Sequence, residues 1–485
     1  MGLYDFTVYD LINCNAVSFR NRIAWFEADD DRTLTFIQYK ETVDRLACGL
    51  QKNSIKKGDR IGMLGKNSLE YFLLYGSAAA IGAIVLPINW RLSADEICFN
   101  LNDCEPKMVF VDREYQQAIE GVKDRLPSVK HYYNLNSEGG EFLDFESLLD
   151  NEIDFEAVNV SNDDGFVIIH TAAVEGRPRG ALLSHGNLLC ANIHLNYCFN
   201  LTPEDVHLNL LPMFHIGGLF MAISSFHAGA LNVNMSKFDA EKAVELIEEK
   251  KVSVMFDFSP ILSSILEQHE KTGKDIKTLK AVMGLETPET IEKYQQVTGG
   301  TFYCIYGQTE TTGLATFGRY NDRPGSAGKM IQLGEVILVD DYDRPVPAGQ
   351  VGEITMKGPM IFKGYWNLPA DNEYIFREGR HHTGDLGRFD EDGFLWYAGR
   401  KAEKELIKPG GENVYPAEVE KVILQHPAVD KTVVFGVPDP KWKEGIKAVC
   451  MLKAGENMEP QELIKFVGAR IASYKKPQYV EFIND

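Results

Sequence analysis

The sequence lacks the features that mark several large classes of proteins. Its 70 acidic side chains outnumber 50 basic ones, giving a formal net charge of −20, whereas proteins that bind nucleic acids or anionic membranes start from a basic surface. The eight cysteines include no C-x-x-C pair, so free thiols in a reducing compartment are expected rather than a structural metal site. The N-terminus lacks a basic start followed by an apolar run, and no signal peptide is predicted. We therefore expect a cytoplasmic protein without a nucleic-acid partner.

Long apolar runs and two common nucleotide motifs are also missing. The apolar stretch "YFLLYGSAAAIGAIVLP" at residues 71–87 is shorter than the roughly 20 residues of a spanning helix, and it predicts a buried helix that runs into a buried strand. No G-x-G-x-x-G follows a strand-like run, and "GMLGKNS" at residues 62–68 has asparagine where a P-loop needs serine or threonine. No membrane span and no nicotinamide or P-loop site are predicted.

What is present is an alternation of strand-like and helix-like segments over most of the 485 residues. An example of a helix is "DAEKAVELIEEKK", with Asp239 as candidate N-cap. After about Thr355 the pattern changes to short strands separated by glycine, with "DEDG" predicted as a hairpin turn between two of them. Beyond Arg400 the pattern reads helix, strand, strand, helix. We predict a large α/β domain at residues 1–399 and a small α+β domain at residues 400–485.

Three stretches carry candidate chemistry. "YGQTE" (306–310) follows a strand, "TGDLGRFDEDGFLWYAGR" places Asp385 before Arg400, and "HTAAVEGRPRG" (170–180) supplies glycines and arginines after another strand. Open α/β sheets bind ligands at the carboxyl ends of their strands. Each stretch alone is weak, because helix caps and solvated turns use the same residue types.

Together, and in this order, the stretches resemble the adenylate-forming superfamily of acyl-CoA synthetases, luciferases and peptide-synthetase adenylation domains. "KKGDRIGML", "AIGAIVLPINWRLSADEI", "LPMFHIGGL", "GEITMKGPMIFKGYWNLP", "IKPGGENVYPAEVE" and "SYKKP" add to the resemblance, which covers nearly the whole chain. It implies a large domain of two doubly wound sheets plus a small distorted barrel, and a small mobile C-terminal domain. It also implies that ATP converts a carboxylic acid into acyl-AMP, from which a thiol displaces AMP.

The resemblance assigns a nucleotide site. Glu310 would hold Mg²⁺, Thr309 would bond the α-phosphate or the substrate carboxylate, and Asp385 would accept the ribose hydroxyls. Arg400 would reach the ribose and mark the hinge. The remaining predicted contacts surround the adenine and the phosphates: Thr171, Gly176, Arg177, Arg179, Gly180, Gly284, Leu285, Glu286, Tyr306, Gly307 and Gln308.

It also assigns the acid and coenzyme A sites. His215 would sit at the mouth of an acyl pocket, or be an ordinary core histidine. The predicted pocket residues are Phe214, Gly217, Phe220, Phe256 and Asp257. Their side chains favour an aromatic or hydrocarbon acid, although an aromatic stripe can equally be core; Asp257 meets a polar group or is a turn residue. The predicted coenzyme A side consists of Lys408, Gly410 and Gly411.

The sequence departs from the family pattern at three places. Ala172, Ala173, Val174 and Glu175 replace the hydroxyl and glycine residues of the phosphate loop, which predicts weakened ATP use unless Glu175 points outward. The hinge is two residues longer than usual, and its role falls on Ala402 or Lys404. The sequence ends at Asp485, before the family's terminal lysine segment; the segment is either absent from the protein, which would cripple adenylation, or only from this chain.

The leading hypothesis is an ATP-dependent carboxylic acid–CoA ligase with ATP, Mg²⁺ and coenzyme A as cofactors. A homodimer is compatible with this hypothesis. A peptide-synthetase-like adenylation domain is disfavoured because no carrier domain follows. A third hypothesis is a degenerate member that binds nucleotide or acyl-CoA with little catalysis, as a sensor or partner subunit.

Overall fold

A computed structural model describes residues 5–135, 141–152, 158–174, 177–401, 406–453 and 455–483. The helices in these ranges are α1 Val8–Ser18, α2 Phe36–Lys52, α3 Leu69–Ile81, α4 Ala94–Cys104, α5 Gln116–Glu120, α6 His185–Phe199, α7 Ile216–His227, α8 Ala240–Lys250, α9 Ile261–Thr272, α10 Pro288–Thr298, α11 Pro369–Ile375, α12 Pro416–Ile423 and α13 Pro460–Gly468.

The strands are β1 Ile23–Glu27, β2 Thr33–Thr35, β3 Arg60–Leu64, β4 Ile84–Ile88, β5 Met108–Val111, β6 His131–Asn134, β7 Gly165–Val174, β8 Arg177–Ser184, β9 Val206–Asn209, β10 Leu231–Asn234, β11 Val254–Phe258, β12 Ala281–Leu285, β13 Thr301–Tyr306, β14 Thr316–Arg319, β15 Lys329–Met330, β16 Glu335–Val339, β17 Gly352–Lys357, β18 Gly364–Tyr365, β19 His381–Phe389, β20 Leu395–Arg400, β21 Val429–Asp439, β22 Lys443–Leu452 and β23 Tyr479–Ile483.

Two large sheets form the body of the protein. The first has the order β15-β14-β13-β12-β11-β9-β10-β1-β2, with a parallel centre from β13 to β1. The second has the order β18-β8-β7-β4-β3-β5-β6, and its strands are parallel from β7 to β6. Parallel strands need crossover helices that cover both faces. The alternation in the sequence therefore predicted this α/β architecture correctly.

Local sequence signals explain individual helices. The Asp239 side chain accepts a hydrogen bond from the Lys242 backbone N–H at 2.9 Å and so caps α8, as predicted. The run at residues 71–87 lies in α3 and β4, whose residues are all buried. Among the described residues, no helix combines the length and apolar character that crossing a membrane requires.

The region predicted as a small distorted barrel is the antiparallel sheet β16-β17-β19-β20. Its strands β19 and β20 are joined by the predicted "DEDG" turn, in which Asp390 Oδ1 accepts the backbone N–H groups of Asp392 and Phe394. Gly393 has a φ of 80°, a conformation that glycine adopts at little cost. This hairpin carries Asp385 and Arg400 into the candidate site.

The chain is anchored immediately after β20. Lys401 Nζ lies 2.9 Å from Glu353 Oε2, and the Lys401 backbone N–H donates to the Gly384 carbonyl at 3.0 Å. Burial alone would raise the pKa of Glu353, but hydrogen bonds from His382 and Lys401 outweigh it and lower the pKa to about 2. A carboxylate that is ionised at neutral pH thus fixes the chain immediately after β20.

The C-terminal part has a core of its own. It contains α12, α13 and the sheet β21-β22-β23, in which β23 runs parallel to β22. The predicted order of helix, strand, strand and helix is present, and β23 was not predicted. The members of its apolar cluster run from Ile407 to Ile471. The boundary near Arg400 stays a prediction with which this separate cluster agrees, and the hinge candidates Ala402 and Lys404 lie outside the described residues.

A buried histidine in the first sheet predicts acid sensitivity. His207 of β9 is 2% exposed, and burial lowers its pKa to about 4. An unfolded histidine has a pKa near 6.5, so acid protonates the unfolded chain first, and folding free energy is lost as the pH falls from about 6.5 to about 4. Between pH 7 and pH 5, the unfolding free energy of His207→Gln should fall by about 2 kcal/mol less than that of the wild type.

Urea denaturation at the two pH values measures this difference. His131→Gln, the same substitution at the half-buried start of β6, is the control and should follow the wild type. Equal pH dependence of the wild type and His207→Gln would contradict the prediction.

Candidate active site

A buried carboxylate joins the first large sheet to the antiparallel sheet. Asp385 of β19 accepts hydrogen bonds at Oδ2 from Tyr306 Oη (2.8 Å) and Gln308 Nε2 (2.6 Å), and its Oδ1 lies 3.0 Å from Arg400 Nε. Burial and then the Asp385 charge raise the pKa of Tyr306 well above its usual range, so the phenol remains a donor. Four residues that the sequence analysis assigned to the nucleotide are thereby brought together.

The turn after β13 presents a second carboxylate. Thr309–Thr311 forms a short 3₁₀ helix in which Glu310 is 7% exposed. Glu310 Oε1 accepts a hydrogen bond from Tyr365 Oη at 2.6 Å. A Cβ atom on Gly307 would lie 2.2 Å from the Gly313 carbonyl oxygen, so only glycine fits the turn. The turn is therefore sterically fixed and places Glu310 beside the Asp385 cluster.

The predicted phosphate loop is largely a β-hairpin. The sequence predicts a loop after "GFVII", but β7 continues to Val174 and pairs antiparallel with β8, with Thr171 opposite Arg179. Ladder hydrogen bonds between the two strands account for this difference. Thr171 Oγ1 donates to the Arg179 carbonyl at 3.3 Å. Gly176 lies outside the described residues, as does Glu175, and the side chain of Arg177 is also outside them.

Two further residues of the hairpin, Arg179 and Gly180, pack closely against other protein groups. The Arg179 guanidinium lies 4.1 Å from the centroid of the Tyr365 ring and 3.4 Å from Asp371 Oδ1. A Cβ atom on Gly180 would lie 2.7 Å from Ile168 Cγ2. The predicted phosphate role of Arg179 thus stays a prediction, since its described contacts are with protein groups.

The stretch after β12 forms another wall. Gly284 has a φ of 151°, and a Cβ atom there would lie 1.9 Å from the Asp257 carbonyl oxygen, so the position requires glycine. Leu285 is 49% exposed. The buried Glu286 side chain accepts at Oε1 from Lys443 Nζ of the C-terminal part at 3.2 Å. The backbone here is tightly packed, while Leu285 remains available for contact.

An apolar patch, called the recess below, lies where α7 meets the end of β11, and the Phe258 ring there is 36% exposed. A Cβ atom on Gly217 would lie 3.1 Å from Phe256 Cε1 and 3.5 Å from Phe258 Cε2, so the glycine lets the two rings approach the backbone of α7 closely. Phe220 is fully buried. The Asp257 side chain is also fully buried and accepts the Leu262 backbone N–H at 3.0 Å, which makes it part of the start of α9. Of the two readings of Asp257, the turn role has a described partner.

The C-terminal part contacts the mouth of this recess. His215 Nε2 lies 3.6 Å from Glu412 Oε2, and Arg91 forms an ion pair with the same carboxylate. Phe214 packs against the His215 ring at a centroid distance of 4.5 Å. Burial would raise the pKa of Glu412, but the hydrogen bond from His215 and the Arg91 charge lower it, so the carboxylate stays ionised.

The predicted coenzyme A side lies in the same part of the chain. Pro409–Gly411 is a 3₁₀ turn, and Gly410 has a φ of 59°. A Cβ atom on Gly410 would lie 2.9 Å from the Trp442 ring. The Lys408 backbone N–H donates to Glu444 Oε2 at 2.7 Å. These contacts hold the turn against the β21–β22 hairpin.

Comparison with protein families decides the class. The model of the AMP-binding enzyme family matches residues 14–366, and the model of its C-terminal domain matches residues 418–485. The chain belongs to the AMP-binding enzyme family. Among curated proteins, this AMP-binding enzyme is similar to the indoleacetate–CoA ligase of Aromatoleum aromaticum, with 30% identity over 464 residues that cover 94% of this chain and 90% of the relative.

Solved structures that are similar to this chain also carry the names of CoA ligases or synthetases. A chain from Rhodopseudomonas palustris CGA009, provisionally assigned as a long-chain-fatty-acid CoA ligase, is 45% identical with a TM-score of 0.79, covering 82% of this chain and 100% of its own. A double mutant of o-succinylbenzoate CoA synthetase from Bacillus subtilis, bound with its product analogue, has 26% identity, a TM-score of 0.87 and coverages of 99% and 95%.

These comparisons confirm the predicted family, fold class and type of enzyme. This AMP-binding enzyme is an AMP-forming acid–thiol ligase, with ATP and coenzyme A as substrates. The hypothesis of a degenerate binding protein is not favoured, because the relatives carry the names of ligases.

Several residues of the site were not singled out from the sequence. Tyr365, Arg91 and Glu412 all lie inside stretches that carry the family resemblance. The resemblance therefore marked their neighbourhoods, but it could not tell which side chains turn toward the cleft. Lys443, at the start of β22, had no such signal.

Replacing Asp385 tests the buried cluster of this AMP-binding enzyme. In Asp385→Asn, one of the two side-chain oxygens becomes an amide donor that faces Arg400 or the Tyr306–Gln308 pair. We expect at least tenfold weaker AMP binding by calorimetry, because hydrogen bonds to a charged group contribute roughly 1.5–3 kcal/mol. Asp340→Asn, at an exposed turn where the carboxylate holds Arg344, is the control. Unchanged AMP affinity in Asp385→Asn would refute the assignment.

Proposed function

We propose that the enzyme activates an apolar carboxylic acid, aromatic or hydrocarbon, as its acyl-AMP and transfers the acyl group to coenzyme A. The observation that carries the proposal is the turn at residues 307–313, which holds both Glu310 and Gln308, the latter a donor to Asp385. A Cβ atom on Gly313, at the end of this turn, would lie 3.4 Å from Phe220 Cδ1, so the turn also borders the recess. A nucleotide site, a carboxylate for a cation and an apolar cavity wall at one sheet edge are the parts that this reaction requires.

In the first step, a carboxylate oxygen of the acid attacks the α-phosphorus of ATP. The new bond is an acyl–phosphate P–O bond, and the bond that breaks releases pyrophosphate with its electron pair. Asp385 would accept a ribose hydroxyl, since each of its oxygens has more than one acceptor position. Thr171, Thr309 and the hairpin backbone would contact phosphate oxygens, where negative charge must be stabilised.

Magnesium fits the residues beside the phosphates. Mg²⁺ prefers oxygen ligands and is commonly held by one or two carboxylates together with substrate phosphates. Glu310 offers such a carboxylate, whose Oε1 accepts a hydrogen bond from the Tyr365 phenol. When bound, the ion neutralises charge on the phosphates. We assign Glu310 as its protein ligand.

In the second step, the thiol sulfur of coenzyme A attacks the acyl carbon, and its proton is lost. The C–O bond to AMP breaks, and AMP leaves with the electron pair. The turn Pro409–Gly411 would line the path of the pantetheine chain, because glycines allow a ligand to approach the backbone closely. His215, held by Glu412, would border the acyl carbon. Lys408 would supply positive charge on the coenzyme A side.

The chemistry of the recess supports the choice of acid. Phe214 and Phe220 are buried rings close to Gly217 in the sequence, and the Phe256 ring lies against the Gly217 position. Apolar surface favours an apolar ligand in proportion to the area removed from water. The names of two similar proteins, an indoleacetate–CoA ligase and an o-succinylbenzoate CoA synthetase, point to aromatic acids. The predicted homodimer and cytoplasmic location stay predictions.

A panel of fatty, cyclic and aromatic acids tests the proposal. With Mg²⁺ and ATP, pyrophosphate release should occur with apolar acids and not with amino acids, because the recess offers apolar surface. Acyl-CoA and AMP should then form only when coenzyme A is added. Tight ATP binding without pyrophosphate release for any acid would replace the proposal with the binding-protein hypothesis.

Gly217 should set the size of the accepted acid. Alanine adds one methyl group 3.1 Å from Phe256 Cε1, and leucine fills the recess further. In the series glycine, alanine, leucine, we expect KM for bulky acids to rise stepwise, about tenfold or more for leucine, since a methylene group is worth roughly 1–3 kcal/mol in a pocket. Gly121→Leu, where a Cβ atom has only contacts at 3.6 Å, is the control. Unchanged KM for the bulkiest acid in Gly217→Leu would show that the acid binds elsewhere.

A further inference from the structure

One short segment touches both the candidate metal carboxylate and the phosphate hairpin. The Phe362 backbone N–H donates to the Glu310 carbonyl at 3.0 Å. Three residues later, Tyr365 of β18 pairs with Ala181 of β8. The next residue, Trp366, donates its backbone N–H to the Gly180 carbonyl at 2.7 Å. The segment from Phe362 to Trp366 is thus fixed to both structures through its backbone.

The Tyr365 side chain also contacts both Glu310 and the hairpin. Its Oη donates to Glu310 Oε1 at 2.6 Å, and the residue is 2% exposed. Burial and then the Glu310 charge raise the pKa of Tyr365 well above its usual range, so the phenol keeps the proton that it donates. A hydrogen bond from a neutral donor to a carboxylate in such surroundings is short and strong. It restricts rotation of the Glu310 carboxyl group.

One face of the Tyr365 ring packs against an arginine of the hairpin. The Arg179 guanidinium carbon lies 4.1 Å from the ring centroid, within the range of a cation–π interaction. Arg179 is 9% exposed, and its Nη1 also lies 3.4 Å from Asp371 Oδ1. Its Nε is buried and has no hydrogen-bond partner among the residues that the structure describes. The ring therefore has a cation of the hairpin on one face and the Glu310 carboxylate at its hydroxyl.

We propose that Tyr365 is a positioning residue that couples the phosphate hairpin to the metal-binding carboxylate. It orients Glu310 for the divalent cation of Mg·ATP, and it transmits the position of Arg179 to that carboxylate. The inference rests on the proposed function, because Glu310 is the cation ligand there. Tyr365 itself touches neither the substrate nor the ion.

This arrangement has a thermodynamic consequence. An ionised side chain that turns freely loses rotational freedom when it binds a cation, whereas Glu310 has lost much of that freedom already. Partners that hydrogen-bond a metal-ligating carboxylate commonly change metal affinity or activity by about 10- to 100-fold when removed. Loss of the Tyr365 hydroxyl should therefore weaken binding of Mg·ATP without weakening binding of AMP, which needs no cation.

Calorimetry separates this role from a merely structural one. ATP is titrated into the protein, without any acid, over a series of Mg²⁺ concentrations, and AMP is titrated in parallel. In Tyr365→Phe, we expect the Mg²⁺ concentration for half-maximal ATP binding to rise about tenfold or more, with AMP affinity unchanged. Tyr294→Phe is the matched control, since its buried hydroxyl donates to the Leu279 carbonyl at 2.9 Å; its Mg²⁺ dependence should equal that of the wild type.

A second variant tests the link to the hairpin. Arg179→Met should raise the required Mg²⁺ concentration as well, and the double variant with Tyr365→Phe should show a smaller shift than the product of the two single shifts, because coupled residues are not additive. Fully multiplicative shifts would overturn the link to Arg179.

The outcomes distinguish the two proposals. Wild-type Mg²⁺ dependence in Tyr365→Phe, or ATP binding by the wild type that ignores Mg²⁺, would overturn the positioning role whatever the acid panel shows. Magnesium-dependent ATP binding that is weakened in Tyr365→Phe, together with no pyrophosphate release for any acid, would keep the positioning role and remove the proposed ligase reaction.

Discussion

The carboxylate of Asp385 is the interaction on which the site depends. It accepts hydrogen bonds from Tyr306 and Gln308 at the end of β13, and it pairs with Arg400 at the end of β20. One side chain therefore ties the parallel sheet, the antiparallel sheet and the last residue before the C-terminal part into a single cluster. The cost of burying a carboxylate is offset only when such donors surround it, so the cluster forms as a whole.

The sequence predicted the frame of this arrangement well. Alternating periodicity indicated the α/β sheets, and Asp239 and the "DEDG" turn were located correctly because caps and tight turns depend on a few neighbouring residues. Tyr306, Gln308, Asp385 and Arg400 were assigned together through family resemblance. Their contact could be anticipated because ligand sites of open α/β sheets lie at strand carboxyl ends.

Long-range contacts could not be predicted in the same way. The strand β7 extends to Val174 because it finds ladder partners in β8, and no local signal in "HTAAVEGRPRG" indicates that pairing. Tyr365 and Glu412 face the site through the placement of distant segments. Asp257, which looked out of place among phenylalanines, accepts one backbone N–H at the start of α9 through Oδ1, a contact that depends on how the chain turns after β11.

The C-terminal part meets the large domain through charged groups. Glu412 faces Arg91 and His215, Lys443 reaches Glu286, and Lys475 Nζ lies 2.6 Å from Glu96 Oε1 and 2.5 Å from Glu418 Oε1, whereas the apolar core of the small part is its own. Charged groups that separate regain hydration, while an apolar interface would expose surface that water disfavours. Most of these charges are largely shielded from water, with the Lys475 side chain 5% exposed, and salt screens buried pairs less than exposed ones. The two parts can therefore separate without exposing the apolar core of the small part to water.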